Sequence, residues 1–186
     1  MSPSQLYESL SYVNSSKESR FKYALILIEN PDLVKPCLEI ICSNEDPQSA
    51  RAAWILEYAC RNELSVIKPH LDYFIKNMSK IKLDSAIRTL AKICELLCIA
   101  HYKNKNLDLS SEQKNILIES CFDWMITEQK VAVKAYSMRS LFLLGTDSHW
   151  IHSELKKILE KDFSKSSAAY KARAKHIFAQ LKRVRS

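Results

Sequence analysis

Glycine is nearly absent from this sequence, which contains Gly145 and no other glycine among its 186 residues. An average globular chain carries about 7% glycine. β-hairpin turns, phosphate-binding loops and dinucleotide fingerprints need glycine where the backbone takes a positive φ or lies against a ligand. The scarcity of glycine argues against all three architectures and favours long helices joined by short polar turns.

The sequence also lacks an export signal and a long apolar run. Residues 1–10 contain neither the basic nor the apolar region of a signal peptide. The longest apolar run near them, Ala24 to Ile28, is five residues long and too short to cross a bilayer. The six cysteines are therefore expected to be reduced core residues. We expect a cytoplasmic protein that does not associate with membranes.

Helical periodicity extends over almost the whole chain. Hydrophobic residues make up 47% of it and charged residues 26%, an ordinary balance for one globular domain. The apolar spacing predicts ten helices. They cover residues 4–13, 17–29, 31–43, 46–61, 63–77, 82–103, 111–127, 130–144, 149–162 and 167–184.

Caps and prolines mark the ends of these helices. Asn30-Pro31 and Asp46-Pro47 each place a capping side chain before a proline at the first helical position. Ser110 and Gln113 form a predicted capping box, and Gly145 is expected to end a helix. Pro36 and Pro69 lie inside predicted helices, which they should kink or split.

A basic residue followed by apolar residues at helical spacing recurs in the second helix of each predicted pair. The basic residues are Arg20, Arg51, Arg88, Lys134 and Lys171, which are 31, 37, 46 and 37 residues apart. HEAT and armadillo units repeat every ~40–47 residues, and their helical pairs must stack to bury their apolar faces. We predict an all-α fold in one domain, residues 1–186: a right-handed α-α superhelix of about five helical hairpins.

The segment that begins with Asp46 and continues through Arg51 and Trp54 to Tyr58 resembles the second helix of a HEAT repeat. This segment, the chain length and the opening helix pair are similar to a family of short bacterial HEAT-like proteins, whose members are often labelled adenylosuccinate lyase. The resemblance implies a HEAT-like fold. Lyases of that superfamily are more than twice as long and use a glycine- and serine-rich catalytic loop, which has no counterpart here.

We find no residues that predict chemistry. Cys94, Cys98 and His101 share one helix face, as three zinc ligands would. We favour two core cysteines beside a helix-end histidine, because structural zinc sites usually take ligands from tight turns. The serines lack the glycine-flanked elbow of a hydrolase. We therefore predict no catalytic residue, no metal and no cofactor.

A basic and aromatic stripe is the candidate binding surface. If the second helices line the concave wall of a solenoid, these side chains form one groove. The predicted binding residues are Arg51, Trp54, Glu57, Tyr58, Arg61, Arg88, Lys92, Lys134 and Lys171. The alternative is structural: the recurrent arginine pairs with an opening aspartate, Asp46 or Asp84, and Trp54 belongs to the core.

Our leading hypothesis is a non-enzymatic protein-interaction scaffold. Its partner is expected to be another protein, with an acidic surface suiting the net charge of +7 and the acid-free stretch from Lys165 to Ser186. One alternative is a nucleic-acid-binding protein or a HEAT-like alkylpurine DNA glycosylase. Trp54 with Glu57, or Trp124 with Asp123, would be its candidate parts, although no family motif maps onto them. Adenylosuccinate lyase is a remote alternative based on the family label.

Overall fold

The computed structural model describes residues 1–44 and 46–184, and within them every regular element is a helix. The prediction of an all-α fold is confirmed. The α-helices are α1 (Pro3–Leu10), α2 (Lys17–Glu29), α3 (Val34–Cys42), α4 (Ser49–Asn62), α5 (Leu71–Met78), α6 (Asp84–Ile99), α7 (Ser111–Ile126), α8 (Val131–Leu144), α9 (His149–Phe163) and α10 (Ala168–Val184). None of the described helices is long and apolar enough to pass through a membrane.

Each of three predicted helices is found as an α-helix joined to a short 3₁₀ or π-helical segment. A 3₁₀ segment, Pro31–Leu33, precedes α3, and another, Leu64–His70, precedes α5. A π-helical turn, Ala100–Asn104, continues from the end of α6. Pro69 lies in the second 3₁₀ segment, so the predicted split of residues 63–77 is found. Pro36 is the third residue of α3, where a backbone N–H would have no intrahelical acceptor, so a proline removes no helix hydrogen bond.

The predicted caps have different outcomes. The Ser110 capping box is confirmed: Ser110 Oγ accepts from Gln113 N at 3.2 Å, and Gln113 Oε1 accepts from Ser110 N at 2.9 Å. The Asp46 cap is wrong, because the Asp46 carboxylate accepts from Gln48 N at 2.6 Å in a turn and α4 begins later, at Ser49. Asn30 does occupy the N-cap position of the 3₁₀ segment, with Pro31 first in it, but its side chain does not cap: the amide donates to Ile26 O of α2 at 3.0 Å.

Gly145 ends α8, as predicted, but not through a left-handed backbone. Its φ is −65°, and its N–H donates to Leu141 O at 2.9 Å. The glycine is needed for space instead: a Cβ at this position would lie 2.1 Å from Cδ2 of His152. His152 is buried, and its Nε2 donates to Phe142 O at 2.8 Å.

The chain divides into two compact units, residues 1–96 and residues 97–186, with the boundary inside α6. In the first unit, α2 and α3 pack on α4, and the fully buried Ala52 and Ala53 of α4 leave room for close approach. In the second unit, α8 packs against α7, α9 and α10, and Met138 and Leu141 are fully buried.

Candidate binding surface in residues 1–96

Glu57 lies at the centre of the predicted stripe and is buried, with 2% of its surface exposed. Its Oε1 is 3.4 Å from Nη1 of Arg61, one turn further along α4. Its Oε2 is 4.0 Å from Nη1 of Arg88 in α6 and has no hydrogen-bond partner among the described residues. One carboxylate therefore connects arginines from two helices.

The charges around Glu57 act against the cost of burying it. Burial raises the pKa of Glu57, and the positive charges of Arg88, Arg61, Arg20 and Lys92 lower it by smaller amounts. Burial is the larger effect, so the pKa stays above its usual value. A carboxylate in this position is costly unless cations stay close to it.

Arg20 joins this group from α2. Its guanidinium carbon lies 5.9 Å from the ring centroid of Trp54 and 5.0 Å from that of Tyr58. Its Nε and Nη2 donate to Ser16 O at 3.3 Å and Ser15 O at 2.7 Å, which fixes the side chain. The guanidinium carbon of Arg61 lies 5.2 Å from the Tyr58 centroid. Cations thus occupy faces of both half-buried rings.

We call Arg20, Trp54, Glu57, Tyr58, Arg61 and Arg88 the Glu57 cluster. Three arginines from three different helices meet here on one buried carboxylate and two aromatic rings. The spacing of residues along α4 predicted four of the six members, and Arg88 was predicted from α6. Arg20 was missed as a site residue, although it opens the first copy of the repeated signature.

Two further predicted residues have partners on their own helix or its preceding turn. Arg51 donates to Gln48 Oε1 at 2.9 Å, rather than to Asp46 as the structural alternative expected. Lys92 donates to Glu95 Oε2 at 2.6 Å, and Glu95 is buried. Basic residues of α4 and α6 are therefore positioned by side chains that are themselves held in the fold.

Lys134 and Lys171 belong to the second unit, and each amino group meets the end of the preceding helix. Lys134 Nζ donates to Met125 O at 2.9 Å, in the last turn of α7. Lys171 Nζ donates to Ser164 O at 3.1 Å, directly after α9. A lysine at a helix C-terminus satisfies a free carbonyl and suits the helix dipole. That these lysines share one groove with α4 stays a prediction.

A shallow depression of about 510 Å³ adjoins the Glu57 cluster between α2 and α4. Phe21, one of the residues that line this depression, is 43% exposed. Sequence reasoning did not select this depression, because Phe21 follows Arg20 in the signature as one of its apolar residues. The depression is lined by Lys17, Glu18, Phe21, Tyr58, Arg61 and Asn62.

The cysteines and histidines of the described residues form no cluster of three or more metal-ligating side chains. Cys94 Sγ lies 3.9 Å from Met78 Sδ, in the core. His101, in the π-helical turn, has Nδ1 3.1 Å from Leu107 O and 3.3 Å from Leu109 N, both in the loop between that turn and α7. Burial raises the pKa of the Cys121 thiol to about 12, which keeps it protonated.

These features define a helical-repeat protein whose charged and aromatic side chains lie on recurring helices. The chain matches the HEAT repeat domain family over residues 9–181 and belongs to it. Neither the curated proteins nor the solved structures that were searched include a match. The adenylosuccinate lyase label of similar short bacterial proteins is not confirmed by the family match.

Proposed function

We propose that this chain is a non-enzymatic protein-interaction scaffold and that the Glu57 cluster is part of its binding surface. HEAT repeats stack helical pairs into surfaces that bind partners. The observation that carries the proposal is the convergence of Arg20, Arg61 and Arg88 on the buried carboxylate of Glu57. The cluster carries three positive charges and one negative charge, which favours a partner with an acidic surface.

The cost of burying Glu57 supports a role beyond packing. An apolar residue of similar size would avoid the desolvation that raises the pKa of this carboxyl. The carboxylate instead holds Arg61 and Arg88 in position while 46% and 39% of their side chains remain exposed. Pre-positioned arginines lose less entropy on binding, and arginine and aromatic residues are enriched at binding hot spots.

The geometry favours a protein over a nucleic acid as the partner. Bases of single strands and flipped-out bases stack on the faces of aromatic side chains. Here Arg20 lies over Trp54 and Tyr58, so it covers ring faces on which a base would stack. The Glu57 carboxylate is buried, so a base could not contact it. The other pair considered for a glycosylase includes Trp124, which is 8% exposed.

Affinity capture with matched variants tests the proposal. Wild-type protein is immobilised beside Arg61→Glu/Arg88→Glu and beside Lys103→Glu/Lys161→Glu, a control on exposed positions among residues 97–186 with the same change in charge. We expect the first variant to lose partners that the wild type and the control retain, as quantified by mass spectrometry. Thermal melting by circular dichroism checks that each variant is folded.

Equal recovery of partners by both double variants would show that the Glu57 cluster is not the binding surface. A fluorescence titration with duplex DNA at low salt addresses the other class of partner. Binding that falls steeply as salt rises would favour nucleic acid, because phosphate contacts release counterions.

A further inference from the structure

The depression beside the Glu57 cluster combines exposed apolar surface with positive charge. Phe21 of α2 and Tyr58 of α4 both line it, and Phe21 is 43% exposed. An exposed aromatic side chain in a concave site gains stability when a partner covers it. This surface is therefore suited to an apolar side chain of a bound protein.

The charges that face solvent here are mostly positive. Lys17 and Arg61 line the depression, and the guanidinium of Arg20 lies 5.0 Å from the centroid of the Tyr58 ring. Glu18 is the carboxylate among the lining residues. The charge of Glu57 is buried under the cluster, where a ligand cannot reach it directly.

The donors of Arg61 are suited to a carboxylate. A guanidinium has five N–H donors in a planar fork, which matches a carboxylate in a two-point contact. Arg61 Nη1 interacts with Glu57 at 3.4 Å, while 46% of the side chain remains exposed. Lys17, the first residue of α2, adds an ammonium at the positive end of a helix dipole.

Building on the proposed function, we infer that the depression binds an acidic segment of a partner protein through one apolar or aromatic side chain. That side chain lies between Phe21 and Tyr58. Carboxylates on either side of it in the partner's sequence pair with Arg61 and Lys17. Opposite charges at the rim set the orientation of the segment, and the apolar contact supplies the anchor.

A titration of the full ¹⁵N-labelled chain with short peptides tests this inference. The probe is the blocked peptide Glu-Glu-Trp-Glu-Glu, and the comparison peptides are Glu-Glu-Ser-Glu-Glu and Lys-Lys-Trp-Lys-Lys. We expect saturable amide shifts in residues 17–21 and 58–62 with the probe. Each comparison peptide should bind roughly tenfold more weakly or less, because it lacks the anchor or the charge.

A matched pair of variants shows whether binding of the probe depends on Phe21. Phe21→Ser should weaken binding of the probe roughly tenfold, whereas Tyr12→Ser removes an aromatic side chain that is 74% exposed and does not line the depression. Tyr12→Ser should bind as the wild type does, and the dispersion of amide signals shows whether each variant is folded.

Three results would overturn the inference: shifts confined to other residues, no saturable shifts, or equal binding by Phe21→Ser and wild type. The proposed function fails separately. If capture depends on Arg61 and Arg88 while the probe leaves residues 17–21 and 58–62 unperturbed, the scaffold function stands and the inferred ligand is wrong. If capture is indifferent to those arginines, the proposed function itself fails.

Discussion

At the scale of single residues, Glu57 makes the free energy of unfolding fall as pH rises, whereas a carboxylate with a lowered pKa makes it rise. Burial holds the pKa of this carboxyl above its ordinary value of 4.5 despite the neighbouring cations. Between 4.5 and that raised pKa, the folded protein binds more protons at this site than the unfolded protein. The contribution of Glu57 to the free energy of unfolding therefore falls as pH rises through this window.

Glu57→Gln should remove this contribution, because the amide resembles the neutral acid. We expect the free energy of unfolding of the variant to rise relative to wild type as pH increases from about 4 to 8, measured by urea unfolding. Glu63→Gln is the control: its difference from wild type should change with pH in the opposite direction, since hydrogen bonds from Ser65 lower the pKa of Glu63. A pH-independent difference for Glu57→Gln would contradict the burial effect.

Gly145 is required because the ring of His152 leaves no room for a side chain at this position. Because an added Cβ would lie 2.1 Å from Cδ2 of His152, Gly145→Ala must displace a buried ring that donates to Phe142 O. We expect a loss of roughly 1–3 kcal/mol in the free energy of unfolding, as overpacking causes. In a His152→Ala background, Gly145→Ala should cost much less. Equal costs in both backgrounds would show that contact with His152 is not the cause.

Sequence spacing predicted which residues of α4 share a surface, because Arg51, Trp54, Tyr58 and Arg61 follow the helical period. It did not predict how deeply Glu57 is buried. Burial depends on which helices pack against α4, and a single sequence does not specify that packing. For the same reason the contact of Arg20 with the rings of α4 was missed.

At the scale of helices, the start of α7 depends on one side chain. Ser110 Oγ accepts the N–H of Gln113, and the Gln113 side chain accepts the N–H of Ser110. Ser110→Ala should therefore lower the free energy of unfolding by about 1 kcal/mol. Ser111→Ala is the matched control, because Ser111 is the adjacent exposed serine and the first residue of α7. Equal effects of the two substitutions in urea unfolding would contradict the cap.

The errors in the predicted helices have local causes. Asp46 was expected to cap a helix at its own position, but its carboxylate closes a turn to Gln48, and α4 starts at Ser49. Aspartate favours both arrangements, and tertiary packing selects between them. Sequence alone therefore predicted that α4 exists and which residues it presents, but not its first turn.

At the scale of the whole molecule, four of the five recurring basic residues have two kinds of surroundings, while Arg51 donates to the Gln48 side chain. Arg20 and Arg88 join the Glu57 cluster in the first unit, whereas Lys134 and Lys171 donate to helix-end carbonyls in the second. The repeated signature predicted a HEAT repeat protein, which the match over residues 9–181 confirms. A continuous groove and a single domain over 1–186 remain predictions, since they depend on contacts between repeats.

Hydroxyl-radical footprinting tests the central claim most directly, because it reports the solvent exposure of individual aromatic side chains. The chain is oxidised alone and with the partner recovered by wild-type capture. We predict slower oxidation of Trp54 and Tyr58 in the complex, and unchanged oxidation of Tyr12 and Trp150, which are 74% and 56% exposed. Protection of Trp150 with no change at Trp54 and Tyr58 would contradict a binding surface at the Glu57 cluster.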